Sequence, residues 1–169
     1  MSSTKRTVHH VLETLNQRPG GRRNVLVRVD FNVPMTSNGQ VADDARIRGA
    51  LPTIAAVLQQ QYNVILLSHM GRPKLVQQAA AKNDTATTAQ GEEDEETRLQ
   101  RQKLSLRPAA ACLEQLLGNG TPVRFANDCV GPQASEAVDA LPSAGGAVLL
   151  LENLRFHKEE EKNEQGFIE

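Results

Sequence analysis

Three short apolar runs, Asn24–Val29, Asn63–Leu67 and Ala147–Leu151, constrain the fold of this chain more than any other feature of its sequence. Each is rich in Val, Leu or Ile with little polar alternation, the pattern of strands covered on both faces and hence of a parallel sheet. A weaker run, Pro122–Ala126, reads as a fourth strand. Helical patterns lie between the runs. From Asp44 onward, Ile47, Leu51, Ile54 and Leu58 recur at spacings of 4, 3 and 4, which places them on one face of a helix over 44–61. Asp43 or Asp44 suits its N-cap, and Pro52 inside it should kink or loosen the helix without abolishing it. A second helix is expected from near Ser105 through Leu113, Leu116 and Leu117 to a stop at Gly118, and a third over about Pro132–Ala140. Strands alternating with helices define the α/β class, here a three-layer Rossmann-like domain with a mostly parallel sheet.

Composition narrows the functions open to such a domain. With 3% aromatic residues and no Trp, the core must be built from Val, Leu, Ile and Ala, and binding of nucleic acid by base stacking has little to work with. The formal charge of −1 hides an asymmetry: residues 1–74 carry ten Lys/Arg against four Asp/Glu, and the remainder nine against sixteen. A basic first half suits nucleic acid, a membrane surface or a small anion. Cys112 and Cys129 show no CxxC or Cys/His ligand spacing and read as two reduced thiols of a cytosolic protein. No apolar run approaches a membrane span, and the N-terminus lacks a signal-peptide apolar stretch, so no membrane partner and a cytoplasmic location are expected. An Arg-containing start with no acid before Glu13 leaves an organellar form as the lesser alternative. Between Lys74 and Lys103 the chain turns polar and low in complexity, ending in the acidic run Glu92–Glu96, and residues 75–103 are expected to be a disordered surface insertion.

In open parallel sheets, ligands bind beyond the carboxyl ends of the strands. The first strand runs into Asp30 and Asn32, the second into His69 and Arg72, and the third into Glu152, Asn153 and Arg155. If these strands are parallel neighbours, the polar groups meet at one edge. Two guanidiniums, an imidazole, an amide and an acid suit a small phosphorylated or carboxylated molecule, because the planar guanidinium fork makes bidentate, charge-assisted hydrogen bonds to such oxyanions. Arg46 falls in the first turn of the 44–61 helix, where the macrodipole disfavours a cation. Two explanations stand side by side: it reaches an anion held at that helix end, or it pairs locally with Asp43. His69 could equally cap its own loop, and Arg155 could be tied to Glu159–Glu161, itself read as a solvated helix start rather than a metal site. No GxxxxGK[ST] loop and no GxGxxG after the first strand occur, which weighs against P-loop or dinucleotide binding.

At these residues the sequence resembles the phosphoglycerate kinases. The matching blocks are RVDFNVP (28–34), DDARIRGALPTI (43–54), SHMGRPK (68–74), FANDCVG (125–131) and LLLENLRFHKEEEKN (149–163), in the family's order. The resemblance implies a two-domain α/β kinase that moves a phosphoryl group between 1,3-bisphosphoglycerate and ADP, giving 3-phosphoglycerate and ATP with Mg2+. It implies that Asp30 and Asn32 contact the glycerate, and that His69, Arg72 and Arg155 grip its phosphate. Arg46 would lie nearest the transferring phosphoryl as the catalytic cation. Residues 1–23 are then an N-terminal extension and 24–169 a partial N-terminal, 3-phosphoglycerate-binding domain. The fold would be truncated before that domain is complete, and the nucleotide domain of the same chain, with the Mg2+ and ATP/ADP sites, is absent. On this reading the segment binds no metal or nucleotide, is inactive alone, and belongs to a monomer. The alternatives are a short non-catalytic paralogue that binds a phosphorylated metabolite or a protein, and an unrelated flavodoxin-like or dinucleotide-binding domain.

Overall fold

The computed structural model describes residues 6–17, 23–74, 76, 94–118 and 120–162. Four strands, β1 (Asn24–Arg28), β2 (Asn63–Leu67), β3 (Val123–Phe125) and β4 (Val148–Leu150), form one sheet in the order β1-β2-β4-β3. Every neighbouring pair is parallel, with Arg28 opposite Leu67 and Leu66 opposite Leu150. Strands in this register finish together, so the chain leaves β1, β2 and β4 at one edge of the sheet.

Flanking the strands are α1 (Val8–Asn16), α2 (Ala45–Gln59), α3 (Glu95–Lys103), α4 (Arg107–Leu117) and α5 (Gly131–Asp139), then a 3-10 turn (Leu154–Phe156) and the short α6 (Lys158–Lys162). Successive side chains of β2 and β4 point to opposite faces, and the core divides accordingly. Val64, Leu66, Val148 and Leu150 pack with Ile47, Ile54 and Val57 of α2, Leu113 of α4 and Leu12 of α1. Ile65, Leu149 and Leu151 pack on the other face with Leu141 and with Ala137 and Val138 of α5. The result is helix, sheet and helix in three layers, the expected α/β class. Pro52 lies within α2 without ending it.

The structure corrects three expectations. Residues 75–103 are not structureless throughout: Glu95–Lys103 form α3, while 75 and 77–93 lie outside the described residues. Asp94 caps α3 through its carboxylate, which accepts from the Thr97 N–H and hydroxyl, both at 2.9 Å. Glu95 and Glu96 in the first turn and Arg101 and Lys103 in the last complement the helix dipole, so a segment with little apolar surface still holds a helix. The N-terminal stretch is more than an appendage where it is described: α1 seats Leu12 in the core at 3% exposure. The strand β1 is not covered on both faces. Its Leu26 is 64% exposed beside a groove shared with Ile65, Val130, Ala134, Val138 and Leu151.

One glycine sets the approach of β4 to the end of α2. Gly145 has φ of +83°, and a Cβ there would stand 1.9 Å from the Gln61 carbonyl oxygen. Both left-handed strain and a backbone clash oppose any side chain. Gly145→Ala should therefore destabilise the chain by about 3 kcal/mol, read as a lower urea midpoint. An unchanged midpoint would show that the 143–147 turn can move aside.

Candidate functional site

The polar residues beyond the strands divide into a buried frame and an open rim. Asn153, fully buried, supplies the frame. Its Oδ1 accepts from the Met70 and Arg155 N–H groups, both at 3.1 Å, and its Nδ2 donates to the Met70 carbonyl at 2.7 Å and the Leu104 carbonyl at 2.9 Å. One amide thus ties the loop after β2 to the turn after β4. Glu152, also buried, accepts from Ser105 Oγ at 2.7 Å and from the Leu106 and Asn153 N–H groups at 2.9 and 2.8 Å. It thus satisfies one backbone donor at the start of α4 and one just after β4. Ser68, which sequence reasoning did not single out, accepts from the Phe31 N–H at 2.9 Å and pins the β1 loop to the β2 loop.

On this frame the rim residues are brought together. Arg46, on the first turn of α2, donates to Asp30 Oδ2 at 2.6 Å, so its partner is not Asp43. Asp43 instead accepts from the Ala45 N–H at 2.9 Å, and Asp44 pairs with Arg48. Asp30 Oδ1 accepts from the Asn32 N–H at 3.2 Å. Burial raises the Asp30 carboxyl, but the Asn32 N–H and the Arg46 guanidinium outweigh it and hold the group below the usual aspartate range. Asn32 Oδ1 accepts from the Gly71 N–H at 3.1 Å, and Arg155 donates to the Gly71 carbonyl at 3.4 Å. Gly71, at φ of +61°, turns the His-Met-Gly-Arg-Pro loop so that both its N–H and its carbonyl face these partners. Arg72 follows on the same loop with an exposed side chain, and no described contact joins its guanidinium to the others.

Arg28 at the end of β1 belongs to the same edge and was missed. It pairs with Glu160 at 2.7 Å, so the acidic run after β4 is tied to the end of β1. Burial, then Arg155 and Arg28, lower the His69 pKa, while Asp30 and Glu160 raise it by less. Because the folded value lies below the ordinary imidazole value of about 6.5, the unfolded chain takes up the proton first as pH falls. His69 therefore subtracts stability as pH falls from its unfolded pKa through its lower folded one, the full loss persisting below that, and contributes no such loss above about pH 6.5. An anion placed beside His69 favours the protonated ring. Sulfate, which does not titrate near neutrality, should bind with proton uptake that grows as pH falls below about 6.5, read from calorimetry in buffers of different ionisation heat. His69→Gln should abolish that uptake, and uptake persisting in the variant would place the titrating group elsewhere.

Exposed guanidiniums, one imidazole and a carboxylate-braced arginine at the carboxyl edge of a parallel sheet define a class: an α/β domain whose polar edge has the chemistry of a small-oxyanion site. The family model described as "Phosphoglycerate kinase" matches residues 19–169. The phosphoglycerate kinase of Synechococcus sp. (strain JA-3-3Ab) is 47% identical over 145 residues, covering 86% of this chain and 31% of the relative. That of Anaeromyxobacter sp. (strain K) is 46% identical over 156 residues, covering 92% and 33%. The crystal structure of phosphoglycerate kinase from Pyrococcus horikoshii OT3 superposes with a TM-score of 0.59 at 27% identity, covering 86% of this chain and 29% of that one. This chain belongs to the phosphoglycerate kinase family. It spans about a third of the length of the curated relatives it matches.

Proposed function

We propose that this chain carries the 3-phosphoglycerate site of a glycolytic phosphoglycerate kinase, which transfers a phosphoryl group reversibly between 1,3-bisphosphoglycerate and ADP. The observation that carries the reading is the Asp30–Arg46 pair, linked through Asn32 and Gly71 to Arg155 and set beside His69. Asp30 and Asn32 receive the glycerate, whose hydroxyl suits a carboxylate acceptor. His69, Arg72 and Arg155 hold the phosphate, with Arg72 swinging in from its exposed position. Arg46, fixed by Asp30, faces the transferring phosphoryl and neutralises charge that grows in the transition state. No protein nucleophile is needed, because positioning and electrostatics dominate such transfers.

Mg2+ bound with the nucleotide would neutralise phosphate charge during transfer. The residues here do not fit that ion: among the described residues, the one group of clustered metal-ligating side chains is Asp128, Cys129 and His157, not the oxygen-rich set Mg2+ prefers. The reading assigns nucleotide and Mg2+ to the family's other domain, and this segment alone is inactive. A cytoplasmic monomer fits the reading, and no helix among the described residues is long and apolar enough to cross a membrane.

The test is a coupled assay on the gene product purified from its own cells. ATP formation that requires both 1,3-bisphosphoglycerate and ADP supports the proposal. A product that binds 3-phosphoglycerate without turnover would favour a non-catalytic binding paralogue.

A further inference from the structure

At the same carboxyl edge of the sheet, beyond β3 and β4, the fold brings together three metal-ligating side chains, two of them adjacent in sequence and the third well downstream. Asp128 and Cys129 follow β3, and His157 follows the 3-10 turn; one ligand atom from each lies within 4.8 Å of the other two. His157 Nε2 is 2.7 Å from Asp128 Oδ1, which also accepts from the Cys129 N–H at 2.7 Å and the Val130 N–H at 3.4 Å. These bonds fold the loop so that the carboxylate, the thiol and the imidazole face one another. No described hydrogen bond uses Asp128 Oδ2. A hydrogen-bonded His–Asp pair accounts for two members of the cluster, and the thiol held against them changes its chemistry.

We propose that Asp128, Cys129 and His157 form a binding site for one borderline-soft divalent cation of the Zn2+ type, with water in the fourth position. A mixed oxygen, sulfur and nitrogen set is the ligand chemistry of zinc, whereas a single carboxylate cannot supply the six or more oxygens of a calcium site. Tetrahedral coordination with Zn–N and Zn–O near 2.1 Å and Zn–S near 2.3 Å sets ligand atoms roughly 3.3–3.7 Å apart. The three groups reach that spacing if the His157–Asp128 contact opens by about half an ångström and the Cys129 thiol, within 4.8 Å of both, moves in toward them. On binding, the Cys129 S–H bond breaks, the proton leaves to solvent, and a sulfur–metal bond forms. His157 lies two residues beyond Arg155, so an occupied site would fasten the turn that carries that arginine to the loop after β3.

The experiment uses the reduced, metal-free chain and Co2+ as the probe. The expected result is one equivalent bound with the intense visible bands of tetrahedral cobalt and a thiolate charge-transfer band, all bleached by one equivalent of Zn2+. Cys129→Ser should remove the charge-transfer band, Cys112→Ser should keep it, and His157→Gln should weaken binding by roughly tenfold or more. Independently of any variant, Zn2+ should slow alkylation of Cys129 but not of Cys112 in the unaltered chain, read by peptide mass. A spectrum of weak octahedral cobalt only, a charge-transfer band that survives Cys129→Ser, or equal alkylation of Cys129 with and without Zn2+ would each overturn the proposal.

Discussion

In the kinase proposed above, Arg46→Ala is expected to lower turnover by about 10³-fold while leaving the fold intact. The two halves of this expectation have separate origins. Arg46 and Asp30 are 51% and 58% exposed as side chains, so their ion pair is screened by water and contributes at most about 1 kcal/mol to stability. Part of even that is offset, because a cation in the first turn of α2 meets the positive end of the helix dipole. A residue kept there for folding would be a poor choice. A residue kept there to meet charge that appears only in the transition state costs little and lowers the barrier by about 4 kcal/mol, the equivalent of the predicted rate loss. Steady-state kinetics and a urea titration on the same variant separate the roles. Near-normal turnover, or a rate loss matched by lost stability, would remove Arg46 from the chemistry.

Asn153→Ala should have the largest effect on stability of any change at the strand ends. The alanine strips partners from the N–H groups of Met70 and Arg155 and from the carbonyls of Met70 and Leu104. Asn153 is fully buried, so water cannot readily replace the amide. Each orphaned buried group costs about 1–3 kcal/mol, and partial relaxation should leave a net loss of about 3–5 kcal/mol. Asn153→Asp should fare little better, since it keeps the acceptor, loses both donated bonds and buries a carboxylate against two carbonyls. Thermal unfolding of the variants gives the answer. A loss under about 1 kcal/mol would mean that the loops after β2 and β4 hold their places without this amide.

This division of labour at the strand ends marks where the sequence stops being informative. The strands were legible because their apolar runs answer to burial on the sheet, and α2 because Ile47, Leu51, Ile54 and Leu58 keep helical spacing. The polar residues after each strand were legible only as a group. A polar side chain at a strand end either meets solvent and ligand or satisfies buried backbone, and burial alone tells Asn153 and Glu152 from Asp30 and Arg46. Helix α3 was missed because an acidic run resembles a solvated loop, yet Asp94 three residues before Thr97, acids first and bases last, is a readable capping and dipole pattern. In α1, Val8, Leu12 and Leu15 at helical spacing carried a similar signal. The Arg28–Glu160 pair and the Cys129–His157 approach join residues far apart in the chain, and only the sheet order brings them together.

The most direct test of the central claim is a map of backbone amide shifts as isotope-labelled chain is titrated with 3-phosphoglycerate. The account predicts saturable shifts centred on Asp30, Asn32, Arg46, His69, Gly71 and Arg155, with the loop at Asp128–Gly131 little changed. Saturable shifts confined to that loop or to the Leu26 groove, or none at any concentration that inorganic sulfate does not match, would contradict it.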